Sequence, residues 1–172
     1  MRETYLNSEE LLDKAALDIL RQGLVPGLAD GRALHYNQRI KILYRLDDLF
    51  SVEERLEELS LDQVCGIGTQ ILDKLIAVEA QEGLVPDNLV LDMSGIYMDE
   101  SGCVTAVYVP VILPEDPLIE PIYRKRIYAL LEELLEKKEG GETITEEIES
   151  YNENNFGDWN ALKEALNRSN LS

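Results

Sequence analysis

The chain has 172 residues, 45% of them hydrophobic, and its 34 acidic and 16 basic residues give a formal net charge of −18. This length allows one sizeable hydrophobic core. The negative charge opposes binding to nucleic acid and to anionic lipid, and no apolar run is long enough for a membrane span. We therefore expect one cytoplasmic domain over 1–172, with a small lobe at about 1–60 and a larger lobe at about 61–172.

The first 60 residues predict two helices that flank short strands. Asn7 can cap the first helix, with Glu10 at the capping-box position, and Gly23 is placed to end that helix in a left-handed conformation. Residues 32–46 are rich in aromatic and β-branched side chains, which predicts one or two short strands. Residues 51–59 predict a short acidic helix.

The middle of the chain predicts a long helix followed by a β-meander near 89–113. Apolar residues recur at helical spacing over 61–81. Three apolar runs follow at 89–92, 95–99 and 103–113, and Asp and Gly residues between them favour tight turns.

The last third predicts helices at 118–138, 143–151 and 158–168. Asp158 stands at the capping position of the last helix, and Trp159 is expected to dock that helix onto the core. The order of elements predicts an α+β fold.

Several phrases of the sequence, among them LRQGLVPGL, ALHYNQ and EGLVPDNLVLDMSGIYMDESG, carry a family resemblance over residues 17–166. The chain resembles the domain of unknown function found ahead of forkhead-associated (FHA) domains in Gram-positive bacteria. It is more distantly similar to the pseudokinase-like cytoplasmic domain of the type VII secretion EssB/YukC proteins. The resemblance implies a reduced protein-kinase-like fold, no demonstrated catalysis and a role in protein interaction.

The resemblance also implies which residues stand at degenerate catalytic-loop positions. The kinase pattern HRDxxxxN places its asparagine on Asn88, its catalytic base on Gly83, and its His and Arg on Gln81 and Glu82. The metal-binding aspartate falls near Asp99. A glycine cannot accept the substrate proton, and the chain has no glycine-rich phosphate loop. We therefore expect no enzymatic activity, no catalytic residue and no cofactor.

The same residues have a structural interpretation that competes with a metal site. Asp87 and Asn88 after a proline are typical of a capped turn, and Asp99 is typical of a hairpin turn. Asp92, Asp99 and Glu100 could together hold a divalent cation. Because acidic turn residues are common in so acidic a chain, we favour the turns and expect no metal.

A nucleic-acid-binding function is the alternative from another class. The CGIG stretch, Cys65 to Gly68, fits a helix-hairpin-helix turn that offers backbone amides to a phosphate. Lys74 is the only basic residue near it, and Asp62, Asp73 and Glu79 oppose phosphate binding. The competing interpretation is that the two glycines allow a neighbouring helix to approach closely.

Cys65, Cys103 and His35 have no spacing typical of a zinc site or a catalytic triad. We expect buried thiols and a partly buried structural histidine. The function predicted by the sequence is that of a non-catalytic protein–protein interaction or signalling domain, as a module of a longer FHA-containing or secretion-linked protein. The acidic charge favours a basic protein partner.

Overall fold

The structure is a computed structural model that describes residues 2–114, 116, 118–154 and 158–168. About half of the chain is helical, and the described strands form two small antiparallel sheets of three strands each. The predicted α+β class is confirmed. The kinase-like arrangement and the division into two lobes remain predictions.

The first sheet is built from β1 (Arg2–Leu6), β2 (Gly31–Tyr36) and β3 (Arg39–Tyr44), in the order β1-β3-β2. The strands predicted at 32–46 are therefore confirmed as a hairpin, closed by Asn37 and Gln38 with φ of 46° and 66°. Positive φ at both central residues gives the turn a twist that matches the strands. Strand β1 was not predicted, because a strand made by pairing with distant residues leaves little local signal in the sequence.

The first helix, α1 (Lys14–Gln22), begins later than predicted. Asn7 does not cap it; Asp13 does, since its carboxylate accepts a hydrogen bond from the backbone of the first turn. Leu12 is held in extended backbone by a bridge to Val111, so the helix cannot start before it. Contacts with a distant segment have overridden the local capping pattern.

The predicted left-handed cap at Gly23 is confirmed, with φ of 65° and bonds to the last turn of α1. The acidic helix expected at 51–59 is present in two pieces, α2 (Val52–Arg55) and a 3-10 turn over Leu56–Glu58. It directly follows the two-residue strand β4 (Phe50–Ser51).

The longest helix, α3 (Leu61–Ala80), is one continuous helix. Ser60 and Gln63 form a capping box at its start, with bonds of 3.2 and 2.9 Å. The alternative interpretation of residues 65–68 as a helix-hairpin-helix turn is therefore wrong, because those residues lie inside the predicted helix and their amides are used in its backbone ladder. The close-approach interpretation holds for Gly68, where a Cβ would lie 3.0 Å from leucines of two later helices, but not for Gly66, which has open space.

The second sheet contains β4, β5 (Ile96–Met98) and β6 (Val104–Ala106), in that order. The predicted meander near 89–113 is thus correct for its β5–β6 hairpin only. Residues 89–92 form no strand: Leu89 makes a single bridge to Tyr108, and the Leu91 N–H turns back to the Leu89 carbonyl at 3.1 Å. This local turn ends the pairing after one residue.

The C-terminal part contains α4 (Tyr123–Leu135), α5 (Gly141–Asn154) and α6 (Trp159–Arg168). All three predicted helices exist, but the described residues between 118 and 122 lie outside α4. Pro121 disfavours helical backbone in the residue before it, which limits a helix start upstream.

The segment between α5 and α6 differs in part from the loop, cap and docking residue that the sequence predicted there. The stretch from Asn152 to the Asp158 cap was expected to be a loop; this is wrong for 152–154, which are helical, and 155–157 lie outside the described residues. Asp158 caps α6 as predicted, accepting the Ala161 N–H at 3.1 Å. Trp159 is 5% exposed, packs against Tyr123 and Tyr128, and docks α6 as expected.

Two hydrophobic clusters hold these elements together. The larger surrounds α3, which contacts α4, α6 and β6. The smaller lies under the inner face of the first sheet and includes Ile40, Ile42 and Tyr44. Among the described helices, none has the length and apolar character needed to cross a membrane.

Candidate functional site

Asn88 is a buried polar residue that joins two stretches of chain. Only 5% of it is exposed, at the end of a 3-10 turn over Pro86–Asn88. Its side-chain amide donates to the Val111 carbonyl at 2.8 Å and to the Tyr108 hydroxyl at 3.4 Å. The amide is thus used to tie the turn to the segment after β6.

Tyr108 is the centre of this buried network and was not singled out from the sequence. Its hydroxyl accepts the Val85 N–H at 2.9 Å as well as the Asn88 amide, and its carbonyl accepts the Tyr44 hydroxyl at 3.0 Å. Burial raises the pKa of Tyr108, and burial raises the pKa of Tyr44 to about 12. The network connects the turn at 85–88 with β3 of the first sheet.

Asp87 and Gly83 also have structural roles. The Asp87 carboxylate accepts the Tyr123 N–H at 2.8 Å, so it caps the first turn of α4 from a distant part of the chain. Gly83 has φ of 91°, and a Cβ there would lie 2.8 Å from the Ile19 Cδ1 atom. The position that the resemblance assigns to a catalytic base therefore packs against α1 and favours glycine.

Asp99 organises the β5–β6 turn. Its Oδ1 atom accepts from the Ser101 hydroxyl at 2.6 Å, from the Ser101 N–H at 2.9 Å and from the Cys103 N–H at 3.0 Å. The hydrogen bond from the Ser101 hydroxyl is the main cause that lowers the pKa of Asp99. Asp99 and Asn88 line different cavities, so the structure does not bring these two predicted positions into one site.

The two other members of the proposed carboxylate cluster are also engaged elsewhere. Asp92 accepts the Ser94 N–H at 2.9 Å, and Glu100 pairs with Arg55 at 3.1 Å. Within the described residues, no group of three or more His, Cys, Asp or Glu side chains is arranged to hold a metal ion.

The cysteine and histidine expectations are only partly met. Cys65 is buried in α3, as predicted, but Cys103 is exposed in the β5–β6 turn and the two are not joined by a disulfide. His35 is exposed near the end of β2 and is not the partly buried residue that we predicted. The cause is its place next to the hairpin turn, where little chain remains to cover it.

A groove adjoins the turn that carries Asp87 and Asn88. Its volume is about 440 Å³, and it lies between residues 87–92, residues 109–113 and α4. Binding clefts are typically about 300 to 1,000 Å³. Apolar side chains dominate its lining: Leu89, Val90, Leu91, Val109, Val111, Leu113, Ala129 and Leu130.

Charged residues stand at the rim of this groove. Of those that the structure describes, three are acidic, namely Asp87, Asp92 and Glu133, and one is basic, Arg126. Sequence reasoning identified Asp87 and Asn88 but not the α4 side, because nothing local shows that α4 packs beside this turn. The apolar lining and acidic rim suit an apolar ligand segment that also carries positive charge.

Comparison of the chain with protein-family models and with curated proteins found no match.

Proposed function

We propose that this chain is a non-catalytic protein-interaction domain that binds an apolar, basic segment of another protein in the groove between residues 87–92, residues 109–113 and α4. A reduced kinase-like fold and a place in a longer cytoplasmic signalling or secretion-linked protein belong to the same proposal. They rest on the resemblance of the sequence phrases.

The observation that carries the proposal is the apolar lining of an open groove. Leu113 and Ala129 are exposed in it, while Leu89, Leu91 and Leu130 form a buried floor. Burying apolar surface of this kind is the main favourable term in most protein associations. The apolar surface continues along the sequence on each side, since Ile112 is 53% exposed and Ile122 is 43% exposed.

The roles of the degenerate catalytic-loop residues support a binding function over a catalytic one. The side chains of Asn88 and Asp87 hold the walls of the groove together. Asn88 bonds to the Val111 carbonyl, and Asp87 bonds to the start of α4. These bonds hold the lining in one arrangement, which lowers the entropy lost on binding. The acidic rim and the charge of −18 favour rapid association with a basic segment.

The proposal is tested by selecting displayed peptides on the immobilised protein and measuring their affinity for two matched variants. Ala129→Arg places a long cation in the groove, whereas Ala15→Arg makes the same change at an exposed position of α1. We expect the selected peptides to combine apolar and basic residues. They should lose at least about tenfold in affinity on Ala129→Arg, because the added side chain blocks the cleft and repels them, and none on Ala15→Arg.

Both variants should melt at the wild-type temperature, since both alanines are exposed. Peptides that bind Ala129→Arg as tightly as wild type would disprove the groove as the binding site. A selection that yields no basic and apolar consensus would disprove the class of partner.

A further inference from the structure

The outer face of the first sheet differs in charge from the rest of the molecule. Alternate residues of the three strands point to this side, according to the register of β1, β3 and β2. We call it the tyrosine face and define it by six residues: Tyr5, Arg32, Leu34, Tyr36, Arg39 and Lys41. Three of the six are basic and Glu3 is the acidic neighbour on the same side, in a chain whose net charge is −18.

Large apolar side chains are exposed among these basic residues. Tyr5, Leu34 and Tyr36 are 45%, 49% and 52% exposed. The rings of Tyr5 and Tyr36 lie 6.4 Å apart, and a cleft of about 390 Å³ opens between them, Asn37 and Arg39. Tyrosine and arginine are the residue types enriched where proteins bind other proteins.

The cations on the tyrosine face are not all neutralised within the protein. Lys41 pairs with Glu3 at 2.7 Å and lies 5.7 and 5.5 Å from the centres of the Tyr5 and Tyr36 rings, which holds both rings in place. In the described part of the chain, the side chains of Arg32 and Arg39 form no ion pair or hydrogen bond. They are available to an anionic ligand.

The hairpin turn beside the cleft carries backbone strain. Asn37 and Gln38 both adopt left-handed backbone, with φ of 46° and 66°, although neither is glycine. Gln38 in particular is a residue type that rarely adopts this conformation. The tight turn puts Tyr36 directly opposite Arg39, and this pair forms one wall of the cleft.

We propose that the tyrosine face binds an acidic peptide segment that contains aromatic or aliphatic residues, supplied by a partner protein. Charge complementarity selects an acidic ligand, and the exposed rings select one with apolar side chains. Two tyrosine faces would repel each other, so a symmetric dimer through this face is disfavoured. The net negative charge of the whole molecule repels a long polyanion such as nucleic acid. It repels a short acidic segment far less, because such a segment lies close to the tyrosine face alone.

This site is separate from the groove beside α4 and takes a ligand of opposite charge. The two proposals can therefore fail independently. Arg39→Glu changes the tyrosine face alone, as Ala129→Arg changes the groove alone.

The test is a fluorescence-anisotropy titration at low salt with three labelled probes. The first is a short peptide of Glu and Asp with one Trp and one Leu, the second has Gln and Asn in place of the acids, and the third is an oligothymidylate. We expect the acidic peptide to bind best and to lose at least about tenfold in affinity on Arg39→Glu. Lys137→Glu is the matched control, since Lys137 is exposed after α4 and lies outside the tyrosine face.

Added salt should weaken binding of the acidic peptide, and Tyr36→Ala should weaken it without changing the melting temperature. Equal binding of the neutral peptide, or an equal loss on Lys137→Glu, would overturn the proposal. Tighter binding of the oligothymidylate would make the face a nucleic-acid site, and absence of binding by all three probes would also overturn it.

Discussion

At the scale of single residues, the degenerate catalytic-loop positions are occupied by residues with clear structural contacts. Asn88 bonds to Val111, Asp87 caps α4, Asp99 closes the β5–β6 turn, and Gly83 packs against α1. All of these contacts are made within the protein itself. They agree with the structural interpretation, favoured from the sequence, in which these residues form turns and caps. The resemblance to a kinase loop therefore needs no catalytic explanation.

Replacing Asn88 with alanine should lower the free energy of unfolding by about 1 to 2 kcal/mol. The change removes the donor to the Val111 carbonyl and leaves that partly buried acceptor without it. Denaturant melts of both proteins, with and without calcium or magnesium, measure the effect. Divalent ions should alter neither melt, and an Asn88→Ala variant of native stability that had lost a metal-dependent shift would contradict the structural role.

Lys74 is a buried cation whose charge opposes folding. It is 8% exposed, and its Nζ atom is 3.5 Å from the Gln70 carbonyl. Burial lowers the pKa of Lys74 from its usual 10.5, which means that the folded state holds this proton less tightly than the unfolded state. Lys74→Met keeps the apolar stem without the charge, so it should raise the free energy of unfolding at neutral pH by about 1 kcal/mol.

The pH dependence of that gain follows from linkage. Between the lowered folded-state pKa and 10.5, the unfolded state binds more protons, so the wild-type protein gains stability as the pH rises through this alkaline range. The advantage of Lys74→Met should therefore shrink toward pH 10.5. Lys137→Met is the exposed control, and an equal, pH-independent effect of both changes would show that the charge at Lys74 carries no penalty.

At the scale of elements, α3 shows how one helix uses two glycines differently. A Cβ at Gly66 would meet no atom within 4 Å, while one at Gly68 would lie 3.0 Å from Leu131 and Leu166. Gly68 thus sets the approach of α4 and α6 to α3, and the CGIG stretch at 65–68 that suggested a hairpin turn lies inside this one helix.

Matched alanine substitutions in α3 should separate these two roles. Gly66→Ala should raise the free energy of unfolding by about 1 kcal/mol, because alanine is the better helix former and has space there. Gly68→Ala should lack that gain, because Leu131 and Leu166 must move to admit the methyl group. Urea melts measure both, and an equal gain at both positions would contradict close packing at Gly68.

At the scale of the whole molecule, the predicted positions of a kinase-like site are spread over separate surfaces. Asn88 lines the groove beside α4, and Asp99 lines the cavity near α2. A metal-bound nucleotide needs its phosphate, metal and base contacts in one place. The charge of −18 further opposes a ligand as anionic as ATP.

The protein should therefore show no change in melting temperature with ATP and magnesium. A ligand at about 100 times its dissociation constant would stabilise the fold by about 2.7 kcal/mol, an effect that a thermal-shift assay detects readily. A shift that required both ATP and magnesium would contradict the non-catalytic proposal. Magnesium alone and ATP alone serve as controls.

The amino-acid sequence by itself determined the elements whose signals are local. The helical spacing of apolar residues identified α3, the Asp158 cap identified the start of α6, the aromatic and β-branched run identified strand structure at 32–46, and Gly23 identified the end of α1. These features depend on side-chain periodicity and backbone preference over a few residues. Such preferences act the same way wherever the segment lies in the fold.

Tertiary structure alone decided the features that depend on distant partners. Strand β1 exists through its pairing with β3, α1 starts at Lys14 because Leu12 is bridged to Val111, and α4 is capped by Asp87. The groove and the tyrosine face arise in the same way, since each gathers residues far apart in the chain. A hydrogen bond or apolar contact between distant segments forms only once the chain has folded, and its free energy then outweighs local preferences of a few tenths to about 1 kcal/mol per residue.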